Sequence, residues 1–134
     1  MGMEKLIQEY LNKKNIFAVI GVSTDPKKYG YQVYEDLRSA GYKVYPVNPN
    51  ASEVLGDNCY PTLKDLPEIP DVVDIVVKPS VTEGIVVDCY KLGIKRVWMQ
   101  PGSESEDAIN FCKENGIDVL YGVCVMVQRR KLDK

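Results

Sequence analysis

Asn15-Ile16-Phe17-Ala18-Val19-Ile20-Gly21-Val22-Ser23-Thr24-Asp25-Pro26-Lys27-Lys28-Tyr29-Gly30 is the stretch whose reading decides the fold. An apolar run, Ile16 to Ile20, stops at Gly21; a loop of small residues follows, and helix-forming sequence begins at Tyr31. A short apolar strand ending in such a loop and opening a helix is how α/β proteins hold phosphates. The loop supplies backbone N–H groups and the helix N-terminus supplies partial positive charge. Lys27 and Lys28 add full charges beside it. The stretch therefore predicts an α/β unit with a site for a phosphate-bearing ligand.

Outward from this stretch, the same alternation repeats. Met3 to Lys13 reads as an amphipathic helix with Met3, Leu6, Ile7, Tyr10 and Leu11 on one face. Tyr31 to Ala40 reads as a helix stopped by Gly41, and Lys43 to Asn48 as a strand closed by Pro49. Residues 49–71 form a connection with a short helical turn near Thr62 to Leu66. Val72 to Val77 is a nearly continuous apolar run, as expected of a strand covered on both faces. Ser80-Val81-Thr82-Glu83 and Ser103-Glu104-Ser105-Glu106 both fit the capping-box pattern, opening helices that stop at Gly93 and Gly116. Arg96 to Gln100 and Val119 to Tyr121 complete five strands, and Arg129-Arg130-Lys131 reads as a solvated basic tail.

Strands alternating with helices through short loops predict a single Rossmann-like, doubly wound, five-stranded parallel sheet. The expected strand order is 3-2-1-4-5, with an extra N-terminal helix. The expected organisation is an N-terminal helix over 1–14, the Rossmann-like domain over 15–126 and the tail over 127–134. Such sheets bind ligands beyond the carboxyl ends of their strands.

Composition narrows the function. The chain has 134 residues, enough for one domain, and a net charge of −2, which argues against a dedicated nucleic-acid binder. No apolar run approaches the roughly 20 residues of a membrane span, and the N-terminus lacks a signal-peptide core, so the expectation is a cytoplasmic protein. Gly2 suggests myristoylation, but Leu6 stands where that motif wants Ser or Thr. The cysteines Cys59, Cys89, Cys112 and Cys124 form no CxxC pair and there is no histidine, so no zinc site is expected. Absence of histidine also removes the commonest general base.

A dinucleotide is the obvious candidate ligand. Its fingerprint wants G-x-G-x-x-G after the first strand and an acid at the end of the second. Ser23 stands where the second glycine would be, and the second strand ends in Val47-Asn48-Pro49. Both count against NAD; the missing acid is compatible with NADP.

The strand-end loops together resemble another family. Gly21-Val22-Ser23 with Lys27, then Pro46-Val47-Asn48-Pro49, then Val77-Lys78-Pro79, then Trp98-Met99-Gln100-Pro101-Gly102, resemble the coenzyme A-binding domain family. Its members are small stand-alone proteins related to the CoA-binding domain of the succinyl-CoA synthetase alpha subunit. The resemblance covers about Asn15 to Met126. It implies that Gly21, Val22 and Ser23 meet the CoA pyrophosphate through backbone N–H groups and the Ser23 hydroxyl, with Lys27 or Lys28 neutralising charge. It implies that Val47, Asn48 and Pro49 lie near the adenosine, that Val77, Lys78 and Pro79 flank the adenine, and that Gln100, Pro101 and Gly102 lie towards the pantetheine arm.

Each of these residues also has a plain structural reading. A glycine often ends a first strand, proline stops a ladder, and surface lysines are usually solvated. Trp98 reads as core packing. The functional reading draws its weight from co-location. Cys124, after the last strand, reads either as a small buried hydrophobe or as a thiol facing the pantetheine sulfhydryl.

The synthetase relatives work through a phosphohistidine on a further domain, and this chain has no histidine. Ser23 has no evident base. The expectation is thus a binder of CoA or acyl-CoA without catalysis of its own, acting alone, as a homodimer or with a partner enzyme. The alternatives are an NADP-dependent oxidoreductase and a nucleotide-sensing interaction module.

Overall fold

A computed structural model describes residues 2–133. Met1 and Lys134, the outermost residues of the expected N-terminal helix and tail, lie outside the described residues. The central sheet comprises β1 (Ile16–Ile20), β2 (Lys43–Val47), β5 (Val72–Ile75), β6 (Arg96–Met99) and β7 (Asp118–Leu120), all parallel. A small hairpin, β3 (Glu53–Val54) and β4 (Asp57–Asn58), and a 3-10 turn at Leu63–Asp65 fill the connection after β2. The helices are α1 (Met3–Tyr10), α2 (Tyr29–Ser39), α3 (Pro79–Leu92), α4 (Glu106–Glu114) and α5 (Val125–Leu132). Among the described residues, no helix is long and apolar enough to cross a membrane.

The sheet is the expected five-stranded Rossmann-like sandwich, but its order is β2-β1-β5-β6-β7. Counting only the parallel strands, this is 2-1-3-4-5, not the expected 3-2-1-4-5. Burial explains the correction. All four residues of β5 are buried, which suits a central strand, while β2 is partly exposed at its start. Pro46 confirms β2 as an edge. Its carbonyl accepts from the Tyr60 N–H at 3.0 Å, away from β1, so its missing N–H also faces the outer side, where no ladder needs it. The topological switch point therefore lies between β1 and β5.

Alternation along the strands divides the core into two layers. Phe17, Val19, Val72 and Trp98 face α1, α2 and α5, while Ala18, Ile20, Val73, Ile75 and Met99 face α3 and α4. Eight residues of isolated helix would be marginal in water. Helix α1 is held because Ile7 and Tyr10 are buried, each contributing about 1.5–3 kcal/mol. The Tyr10 hydroxyl also donates to the Val97 carbonyl at 3.2 Å, and its ring meets Trp98 edge-on. Trp98 is core, as expected, and its indole N–H donates to the Val123 carbonyl at 3.0 Å.

Several local readings are corrected. Helix α3 begins at Pro79 with Lys78 as its N-cap, so Ser80 lies inside the first turn and caps nothing. Proline suits that first position because it lacks only an N–H that would have no partner there. Before α4 the cap is Ser105, whose Oγ accepts from the Ala108 N–H at 3.3 Å, while Ser103 is buried. Helix α2 starts two residues before the expected Tyr31. The segment read as a solvated tail is helix α5: Arg129 grips Asp36 of α2 with two hydrogen bonds of 2.7 and 2.8 Å, both side chains largely buried. A basic run gave no sign of a partner 93 positions away.

Candidate functional site

The carboxyl edge of the sheet is built around Gly21. Its φ is +95°, and a β-carbon there would lie 2.2 Å from the Val76 carbonyl oxygen. A β-carbon on Gly30 would lie 2.1 Å from the Gly21 carbonyl oxygen. The exit of β1 is thus wedged against the exit of β5 on one side and the first turn of α2 on the other. Only glycine permits this approach.

The loop from Gly21 to Lys28 is fixed by its own polar groups. The N–H groups of Gly21 and Val22 donate to the Val47 carbonyl at 2.9 and 3.3 Å. Asn48 Nδ2 donates to the Val22 carbonyl at 2.7 Å, and Asn48 Oδ1 accepts from the Asn50 N–H at 2.8 Å. Ser23 Oγ accepts from the Asp25 N–H, and Asp25 Oδ1 from the Lys27 N–H, each at 3.0 Å. Val47 and Asn48 therefore shape the loop through bonds already made. The N–H groups of Ser23 and Thr24 have no acceptor among the described residues. The Ser23 hydroxyl keeps its hydrogen to donate, and α2 has no side-chain cap on its N-terminus.

The charges stand around this turn. Lys27 and Lys28 are exposed and enter no ion pair among the described residues. Across the switch point, Val77 is half-buried beside Gly21, and Lys78 and Pro79 are exposed at the start of α3. Pro49 is exposed at the end of β2. Free amides, a hydroxyl and lysines follow β1, with Val77 and Pro79 beyond β5 on one side of them and Pro49 beyond β2 on the other, a set that fits a ligand carrying both phosphates and an apolar ring. CoA is such a ligand.

Gln100 lies apart from these residues. It is wholly buried, and its amide is occupied: Nε2 donates to Asp74 Oδ1 at 2.6 Å, and Oε1 accepts from the Val125 N–H at 3.0 Å. The Tyr29 hydroxyl lies 3.0 Å from the same Oε1 and 2.9 Å from Cys124 Sγ. Pro101 and Gly102 are exposed beyond it, Gly102 with φ +94°. Gln100 therefore ties β5, α2 and α5 together beneath the edge. Burial pushes the Asp74 carboxyl up to about 7, opposed by the bond from Gln100, and leaves its Oδ2 without a partner among the described residues. Burial, then the contact with Cys124, holds the Tyr29 hydroxyl well above the usual phenol range.

Sequence reasoning missed Gly30, Tyr29 and Asp74. Asp74 left a signal, a lone carboxylate inside an apolar run that reads as a two-face-buried strand. Gly30 and Tyr29 left none, because their partners lie on other elements.

Comparison with known proteins places this arrangement. A family model described as CoA binding domain matches residues 15–130. The uncharacterized protein YneT of Bacillus subtilis is 29% identical over 121 residues, covering 90% of each chain. The ADP-forming acetate–CoA ligase II subunit alpha of Pyrococcus furiosus is 39% identical over 93 residues, or 69% of this chain, which spans 20% of that subunit. The solved structure of a hypothetical protein from Pyrococcus horikoshii OT3 is similar with a TM-score of 0.93 at 34% identity, covering 99% of this chain and 94% of that one. Matched over nearly its whole Rossmann-like sheet, the chain belongs to the CoA binding domain family, and coenzyme A is the ligand this membership assigns to it.

Proposed function

We propose that the chain binds CoA or an acyl-CoA across the carboxyl edge of its sheet and has no catalysis of its own. The observation that carries this reading is the Ser23–Lys28 turn. Two amides without acceptors, a donor hydroxyl and two lysines without ion-pair partners, among the described residues, meet there at the N-terminus of α2, beside the switch point. The pyrophosphate sits at this turn, held by Ser23, Thr24 and Lys27 or Lys28. The adenine packs against the apolar groups of Val77 and Pro79, with Pro49 across β1 towards the adenosine and Lys78 offered to a phosphate. The pantetheine arm runs over Pro101 and Gly102 towards β7, above Gln100.

The strand order supports this division of labour. With β5 next to β1, the phosphate loop faces Val77–Pro79 directly, while Gln100–Gly102 stand one strand further out. Gln100, with its amide occupied, is a positioning residue in this reading. The ligase subunit's activity belongs to a chain of which this one spans a fifth, and no histidine is present to carry a phosphoryl group. Storing, sensing or delivering the thioester to a partner enzyme remains the simplest role.

Isothermal titration with CoA, then with NADP and NAD, tests the proposal. Saturable one-to-one CoA binding at micromolar strength or better is expected. NADP binding without CoA binding would move the protein to the redox class. Silence from all three at two temperatures would leave an interaction module.

A further inference from the structure

Three of the four cysteines are inert by position. Cys59, Cys89 and Cys112 are buried, and burial raises each thiol's pKa. Cys124 differs. It is half-buried, at the carboxyl edge, and is the N-cap residue of α5. Two bonds fix its segment: the Trp98 indole donates to the Val123 carbonyl, and the Val125 N–H donates to Gln100 Oε1, both at 3.0 Å. The sulfur is held in place.

Behind the sulfur runs a buried polar chain that ends in an unmet group. Asp74, wholly buried, keeps one oxygen on Gln100 and leaves Oδ2 with no partner among the described residues. Asp74 accepts from Gln100 Nε2, so it fixes which end of that amide faces Tyr29 and Val125. The Tyr29 hydroxyl has one hydrogen and two neighbours, Gln100 Oε1 and Cys124 Sγ. With Cys124 as a thiol, S–H donates to the phenol oxygen and the phenol hydrogen goes to Gln100. With Cys124 as a thiolate, the phenol hydrogen turns to sulfur and Gln100 Oε1 keeps the Val125 N–H. Both charge states of the sulfur are hydrogen-bonded with no heavy atom moved. Such an arrangement suits thiol–disulfide exchange.

We infer that Cys124 is an exchange site that a CoA disulfide loads as a protein–CoA mixed disulfide. The inference rests on the CoA reading above, which brings the pantetheine end towards this edge. The Cys124 thiolate attacks one sulfur of the disulfide. The Cys124–CoA S–S bond forms as the CoA–CoA S–S bond breaks. The departing CoA thiolate takes up the proton that Cys124 released to solvent. One disulfide is consumed and one is made, with no other oxidant.

The test treats the reduced full chain with CoA disulfide and, separately, with oxidised glutathione at the same concentration. Intact mass and peptide mapping follow the adduct, and titration with reduced CoA runs in parallel. One CoA moiety per chain is expected, on Cys124, removed by dithiothreitol and absent from Cys124→Ser. It should form about tenfold or more faster than the glutathione adduct, because binding raises the local concentration of the disulfide. An adduct mapped to another cysteine, or equal rates with the two disulfides, overturns the inference. No adduct from a protein that binds reduced CoA overturns it and leaves the CoA reading standing. No adduct and no CoA binding removes both.

Discussion

The Gly21 carbonyl oxygen occupies the space in which Gly30 would carry a β-carbon, 2.1 Å from where that carbon would be. The first turn of α2 therefore rests directly on the loop that follows β1. Gly30→Ala forces loop and helix apart. The expected cost is about 1–3 kcal/mol, as for other overpacked sites, with weakened CoA binding because the Ser23 and Thr24 amides move with the loop. Urea midpoints at constant m-value read the first effect and titration the second. An unchanged midpoint would show that the loop yields without strain.

Lys27 is exposed beside the loop with no carboxylate partner among the described residues. Lys27→Ala should lower CoA affinity about tenfold, or about 1.4 kcal/mol. The affinity of the variant should also respond less to added salt, since one screened charge has gone. If both affinity and salt slope match the parent protein, Lys27 does not touch the ligand.

Asp74 makes stability depend on pH. Its folded pKa is raised from 3.8 to about 7, so its contribution is fully present below about pH 4. That contribution is lost as the pH rises through 7, because the unfolded chain gives up this proton first. Between pH 5 and 8 the loss is about 3 kcal/mol at about 1.4 kcal/mol per pH unit. Asp74→Asn cannot ionise, so the gap between parent and variant should shift by this amount in urea unfolding at the two pH values. Parallel stability curves would sink the assignment.

Leu55 has φ +52° and Gly56 φ +81° in the two-residue turn between β3 and β4. Positive φ at both central residues is the type I′ turn, which favours Asn-Gly. Leu55 is 38% exposed and gives up little burial on replacement. Leu55→Asn is expected to stabilise by about 0.5–1 kcal/mol, raising Tm by about 2–4 °C. A thermal melt with no gain would show that Leu55 packs better than its exposure suggests.

Particular residues show what was legible beforehand. Gly93 was readable as a helix stop because a left-handed cap depends only on the local backbone, and it has φ +76°. Pro46 was equally visible, and weighing its missing N–H would have put β2 at the edge and corrected the strand order. The Leu55-Gly56 turn escaped because leucine is an unusual choice where φ is positive. Arg129 read as solvated because its charge was in view and Asp36 was not. Gln100 was found at the right edge, but its burial and its three-way tie to Asp74, Tyr29 and Val125 were invisible.

The sequence by itself determined the alternation of strands and helices, the glycine-led loop after the first strand and the CoA-binding family. Those depend on apolar periodicity, terminators and short motifs, all of which act over a few residues. Tertiary structure decided the order of the strands, the Gly21–Gly30 contact and the chain from Asp74 through Gln100 and Tyr29 to Cys124. The reason is physical. Cys124 meets Tyr29 across 95 positions and Gln100 meets Asp74 across 26. A buried hydrogen bond takes its worth from a partner that only the folded sheet brings within reach.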